Sequence, residues 1–185
     1  MSLLSWNCRG AAKSNLGRTL KMIVDKHVFC MVVLMETRTS NVKSKSLMKK
    51  LRFDQIFVEE AVGFSGGIWA IWGSNCVTVQ RISQSSQFLH MKVLMNNSRE
   101  FLCTAVYASP RDVERHVMWD DISHISNSIN VPWIMLGDFN DIRSSNEKKG
   151  GSFPDSARCS RFSDFLNSFH VEDLNTFGPY FTWKV

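Results

Sequence analysis

Apolar positions along the chain switch repeatedly between two spacings, and the switches mark out the elements. SLLSWN at 2–7 is a short apolar stretch that suits a first strand, and the loop CRGAAKS follows it. Leu16, Leu20, Ile23 and Val24 fall on one helical face up to His27. The run from Phe29 to Met35 is continuous enough for a strand covered on both faces. A basic helix, KSKSLMKKL, comes next, then short strand-like pieces at Ile56 to Val58, Gly67 to Trp72 and Val77 to Ile82. Gln87 to Met95 alternates, with Leu89, Met91, Val93 and Met95 on one side and His90 and Lys92 on the other. Phe101 to Tyr107 is its expected hairpin partner across Asn96-Asn97-Ser98. Val113, Val117, Ile122, Ile125 and Ile129 predict a helical stripe, Val131 to Leu136 a buried strand, and Phe162, Phe165, Leu166 and Phe169 a last helix. Strands and helices that interleave in this way predict a layered α/β or α+β sandwich with mixed sheets.

Composition narrows the class. The 185 residues are 44% hydrophobic, with 13 Phe and 6 Trp, enough for one domain with a substantial core. No repeat, low-complexity segment or linker divides 1–185. Five Cys are scattered without a CxxC pair, which indicates neither a disulfide framework nor a zinc site, and suits small core residues in a reducing compartment. The longest apolar run is far short of the roughly 20 residues of a membrane helix, and MSLLSWN lacks the basic start of a leader. The expectation is a soluble intracellular protein, in nucleus or cytoplasm. A net charge of +5 is compatible with a polyanionic partner and equally with solubility alone.

In layered α/β folds, reactive groups collect on the wet loops at the ends of rigid strands. Four strand ends carry oxygen donors here: Asn7 after LLSW, Glu36 after MVVLM, Tyr107 after FLCTAV, and Asp138 with Asn140 after WIMLG. If the four strands lie side by side, one rim holds all of them. Glu36 supported by Asn7 matches the oxygen ligands that Mg²⁺ takes. Hydrolysis of a phosphodiester also needs a carboxylate to orient or deprotonate water and neutral donors for the phosphoryl oxygens, which Asp138 and Asn140 offer. Two nearby carboxylates repel, and a bound cation removes the conflict. Taken singly, each signal has an ordinary structural reading: Asp and Asn after a strand are turn formers, and Tyr107 suits a core edge with a wet hydroxyl.

As an ordered set the motifs are more specific. SWNCRG at 5–10, LMETR at 34–38, GFSGGIWAIW at 63–72, VYASPR at 106–111, PWIMLGDFNDI at 132–142, EKKGG at 147–151 and GPYFTW at 178–183 resemble, in order, the endonuclease/exonuclease/phosphatase family. Within it the chain is similar to the apurinic-type endonuclease domain of plant non-LTR (LINE-type) retrotransposon polyproteins. The resemblance implies a four-layered α/β sandwich of two mixed sheets between helices. It implies Glu36 as the principal Mg²⁺ ligand (Mn²⁺ as the other candidate), Asn7 supporting the metal, Tyr107 touching the scissile phosphate, Asp138 aligning or activating water, and Asn140 binding the phosphate. The implied partner is DNA, nicked to prime reverse transcription, with no membrane.

Two departures stand out. The amide that follows the family's Tyr has no counterpart in Ala108, Ser109 or Pro110, and the family's terminal Ser-Asp-His and the strands that lead to it have none before Val185. None of His27, His90, His116, His124 or His170 sits in a comparable context. The reading is therefore of a domain incomplete at its C-terminal end, whose natural neighbour would be the missing segment or a reverse transcriptase domain. A catalytically inactive retroelement remnant, with at most weak nucleic-acid binding through Lys43, Lys45, Lys49, Lys50 and Arg52, is the alternative. A phosphatase of the same superfamily, acting on phospholipids or nucleotides, is a third.

Overall fold

The computed structural model describes the chain except residues 1, 14, 40, 64, 175, 176, 179, 180 and 182–185. Most of the GPYFTW segment and Phe64 of GFSGG lie outside the described residues. In chain order the elements are β1 (Leu3–Asn7), α1 (Leu16–Lys26), β2 (Met31–Met35), α2 (Asn41–Lys50), β3 (Gln55–Val62), β4 (Ser65–Trp72), β5 (Val77–Ser85), β6 (Phe88–Met95), β7 (Glu100–Tyr107), α3 (Asp112–Ser126), β8 (Trp133–Asp138) and α4 (Ser156–Ser168), with a single 3₁₀ turn at Ser145–Glu147.

Among the described residues eight strands make two mixed sheets of four, ordered β1-β2-β4-β3 and β5-β6-β7-β8. Among these strands β1–β2 and β7–β8 run parallel and the other described neighbours antiparallel. The apolar run at 31–35 needs cover on both faces and receives it: Met31, Val33 and Met35 point between the sheets, Val32 and Leu34 out under the first helical layer. Between the sheets these meet Ile68, Ala70, Leu89, Met91, Val93, Cys103 and Ala105. Leu16, Leu20, Leu47 and Leu51 of α1, α2 and the turn after α2 cover the outer face of the first sheet against Trp69 and Ile71. Met118, Trp119, Ile122, Phe162, Phe165 and Leu166 of α3 and α4 cover the second against Phe88 and Val106. The result is the expected four-layered α/β sandwich, held by three apolar layers and no disulfide, all five Cys being free thiols. Burial pushes the Cys103 thiol up to about 12, as suits a core residue. No described helix is long and apolar enough to cross a membrane.

Two local expectations need correction. The α3 stripe is misplaced: Val113 and Val117 are 78% and 58% exposed, and the buried face is Arg115, Met118, Trp119 and Ile122. Those four share i, i+3, i+4, i+7 spacing, but the first is a cation, which an apolar count skips. β8 is half-buried rather than fully buried, because it is the outer strand of its sheet. His90, on the face of β6 opposite Leu89 and Met91 as the alternation placed it, lies buried with Thr104.

The Thr104 hydroxyl accepts from Trp133 Nε1 (2.8 Å) and sits at hydrogen-bond distance, 2.7 Å, from His90 Nδ1. Burial holds the His90 pKa below its ordinary value of 6.5. The unfolded chain then binds a proton at higher pH than the native one, so stability is complete above about pH 6.5 and falls as pH drops toward the native pKa. Urea midpoints are expected to decline between pH 7.5 and 5.5, and His90→Gln to flatten that decline; parallel slopes for the two proteins would refute it.

Candidate active site

Asn7 is the last residue of β1 and pairs in register with Met35 at the end of β2, so Glu36 emerges immediately beside it. In the other sheet Tyr107 pairs with Asp138 at the ends of β7 and β8. The four strands do not lie side by side, as anticipated, but as two parallel pairs facing each other, β1 opposite β8 and β2 opposite β7. Strand order cannot be read from periodicity, and the facing arrangement still delivers every donor to one rim.

The contacts at the rim tie the two sheets together. Asn7 Nδ2 donates to Asp138 Oδ2 at 2.8 Å across the sandwich, and the Asn140 backbone N–H donates to Asp138 Oδ1 at 3.0 Å. Both oxygens of Asp138 are thereby fixed. Burial first, then the negative charges of Glu36 and Asp138, push the Tyr107 phenol above the usual tyrosine range. Asn140 Nδ2 donates to the Ala108 carbonyl at 2.6 Å, which anchors this side chain at the exit of β7. Asn7 and Asp138 thus meet directly, with Glu36 and Tyr107 beside them at the neighbouring strand ends and Asn140 at the edge.

Backbone geometry sets the Glu36 loop. Gly10 and Ala11 N–H groups donate to the carbonyls of Glu36 and Thr37 at 2.7 Å each, and Thr37 and Arg38 N–H groups donate to Gly67 and Gly66 at 3.2 Å. The paired glycines of GFSGG have their reason here. A Cβ at Gly67, where φ is +88°, would stand 2.3 Å from Thr37 Oγ1. Gly137, with φ +139°, is tighter still: its Cβ would lie 1.9 Å from the Val106 carbonyl oxygen and 2.8 Å from Met35 Sδ. Among the described residues seven non-glycine positions have positive φ, and four of them, Arg9, Glu36, Arg38 and Asn140, lie on the rim loops. Each costs on the order of 1–3 kcal/mol, and such outliers cluster where function constrains the chain.

Two groups at the site escaped the sequence reading. Arg38 pairs with Glu36 through its guanidinium; the sequence signal was only that a cation follows the acid by two residues. Asp141, although part of GDFND, turns away from the rim. Its fully buried carboxylate takes Arg158 Nε at 2.7 Å and lies 3.2 Å from the Nε of Arg115, itself fully buried. Arg158 also donates to the Asn140 carbonyl. Arg115 in turn donates to the carbonyls of Ser109 and Pro110 at 2.8 and 2.9 Å and pairs with Asp112 at 2.7 Å. This strut locks the loop after Tyr107 to the loop after Asp138.

The sequence matches no protein-family model and no curated protein. Solved structures do match. The endonuclease domain of TRAS1, a telomere-specific non-LTR retrotransposon, superposes with a TM-score of 0.68 at 15% identity, covering 95% of this chain and 75% of that one. The chain shares its fold. An AP endonuclease from Leishmania major superposes with a TM-score of 0.66 at 10% identity over 90% of this chain and 66% of that one. D. rerio TDP2, complexed with a single-strand DNA product, gives 0.54 at 18% identity over 75% of this chain and 60% of that one. The chain therefore spans between 60% and 75% of the length of these neighbours.

The donors at the rim suit a hard cation. They are all oxygens, from Glu36, Asn7 and Asp138, while the nearby Cys8 thiol is pushed up to about 11 by burial and stays a neutral packing group. Glu36 is only 5% exposed and already draws a positive partner in Arg38. Among the described residues no group of three or more His, Cys, Asp or Glu could hold a metal. Mg²⁺ needs only one or two protein carboxylates.

Proposed function

We propose that the chain is a phosphodiesterase domain of endonuclease type that nicks DNA in the presence of Mg²⁺ or Mn²⁺, in the service of retroelement insertion. The observation that carries this reading is the meeting of Glu36, Tyr107, Asp138 and Asn7 at one rim, joined by the Asn7–Asp138 hydrogen bond between the two sheets. The fold shared with an endonuclease domain and an AP endonuclease supports it.

Glu36 with Asn7 would hold the cation, which when bound supplies charge to polarise a phosphoryl oxygen and offset the charge on the departing one. The chain's own groups do the rest. Asp138, held by Asn7 and the Asn140 N–H, is oriented to accept the proton of an attacking water. The second hydrogen of the Asn140 amide, not used by Ala108, is available to a phosphoryl oxygen. Tyr107 keeps its proton under burial first and then the charges of Glu36 and Asp138, and can donate its O–H to the phosphate.

The test is conversion of supercoiled plasmid to open circle in Mg²⁺, with and without chelator, for the chain and for Glu36→Gln. Nicking that needs the divalent ion and falls by about 10²-fold or more in the variant is expected; undiminished nicking by Glu36→Gln would sink the assignment of the site. One observation favours a second reading, a nucleic-acid binder without catalysis: all five histidines lie in the described residues, and none has a partner among the rim groups. His27 caps α1, His116 pairs with Asp112, and His90 is enclosed with Thr104. Intact plasmid together with salt-sensitive DNA binding would select it.

A further inference from the structure

Charge is distributed unevenly along this chain. Residues 9–52 carry eleven Lys and Arg against two acids, Asp25 and Glu36, while the rest of the sequence carries eleven against fifteen. In the second group most cations are absorbed by ion pairs, including Lys92–Glu100, Arg111–Glu114, Arg143–Asp173, Arg158–Asp141 and Arg161–Asp112. In the first, the ion pairs among the described residues are Lys21–Asp25 and Arg38–Glu36. Lys13, Arg18, Lys43, Lys45, Lys49 and Lys50 are exposed and have no acid within ion-pair distance among the described residues.

These cations share one face. Ser44 and Leu47 of α2 are buried toward the first sheet, leaving Lys43, Lys45, Lys49 and Lys50 on the water side of a helix that contains no acid. A helix that needed charge only for solubility would interleave Glu with Lys; Lys45 and Lys49 instead stand four residues apart with like charge, which opposes helix formation. The face is continuous with α1, because the Lys50 ammonium reaches over the start of that helix, 3.3 Å from where a Cβ on Gly17 would stand. Both helices also spring from the rim. Asn7 ends β1 on the way to α1, and Glu36 leaves β2 five residues before α2. Uncompensated cations lying next to a rim built for a phosphodiester complement the repeating charge of a phosphate backbone.

We propose that the outer face of α1 and α2 is a second DNA-contact surface, which holds the backbone of duplex DNA flanking the phosphodiester at the rim. This rests on the reading of the rim as a DNA phosphodiesterase site, and the contact is one of charge without base readout.

The test measures anisotropy of a labelled duplex of about 30 base pairs, enough to leave the rim and pass α2, which is roughly 15 Å long. The full chain is used in chelator, so that nothing is cut. A triple variant, Lys43→Gln with Lys45→Gln and Lys49→Gln, is compared with Arg99→Gln, Lys148→Gln and Lys149→Gln, which removes the same charge from exposed positions elsewhere. The α2 triple is expected to weaken binding at least ~10-fold at low salt and to flatten the plot of log Kd against log salt by about 2–3, as for the loss of roughly three phosphate contacts. Glu36→Gln is expected to keep the α2-dependent binding, so loss of nicking and loss of this surface read out separately. Unchanged affinity and slope in the α2 triple would overturn the proposal. So would equal losses in both triples, or an α2 effect confined to duplex RNA or to phosphatidylserine vesicles.

Discussion

Under the proposed function, Asp138→Asn is expected to lower plasmid nicking in Mg²⁺ by about 10²–10⁴-fold, the range for removal of a positioned general base. The substitution keeps volume and one acceptor oxygen, so the Asn140 N–H retains a partner. It removes the capacity to take a proton from water and sets an amide against the Asn7 Nδ2 that now donates to Asp138 Oδ2 at 2.8 Å. An unpaired donor of this kind costs about 1–3 kcal/mol when buried, and less at this half-buried position. Placing Asn7→Asp in the same chain restores the hydrogen bond with its polarity reversed. That double variant should recover thermal stability without recovering nicking. Chemistry and scaffolding are separable by this comparison: rescue of cleavage by the swap would show that Asp138 acts only as a brace.

Arg115→Met should be the most damaging substitution for the fold. The Arg115 side chain is fully buried, lies 3.2 Å from a fully buried Asp141 and supports the Ser109 and Pro110 carbonyls. Removing one member of a buried ion pair leaves the other desolvated and typically costs about 3–5 kcal/mol. With roughly 2–4 °C per kcal/mol at this chain size, the melting temperature falls by about 6–20 °C. Replacing both partners, Arg115→Met with Asp141→Leu, should recover part of that loss, although Arg158 is then left without its carboxylate. A loss below about 1 kcal/mol in urea titrations of the single variant would contradict the strut.

Much of this was legible in the residues because the relevant signals are local. Alternation and helical spacing located β6, β7, α1 and α4, and polar residues at strand ends picked out Asn7, Glu36, Tyr107 and Asp138. What escaped was relational. Two parallel strand pairs facing across a sandwich give the same residue spacings as four strands in a row. β8 looks apolar enough to be enclosed, yet its rank at the sheet edge decides its exposure, and rank is a property of topology. Arg115 escaped because burial of a cation depends on a carboxylate 26 positions downstream, and the burial of His90 because its polar neighbour Thr104, which also accepts from Trp133, comes from another strand.

Gly137 carries a consequence for judging related sequences. Its α-hydrogen faces the Val106 carbonyl where no larger group fits, one residue before Asp138. A methyl group there would lever the edge strand off its neighbour and swing the carboxylate away from Asn7, with every reactive side chain still encoded. A census of relatives with an assembled rim based on intact acids and amides would therefore overcount, and the codon at 137 is the more telling one to check.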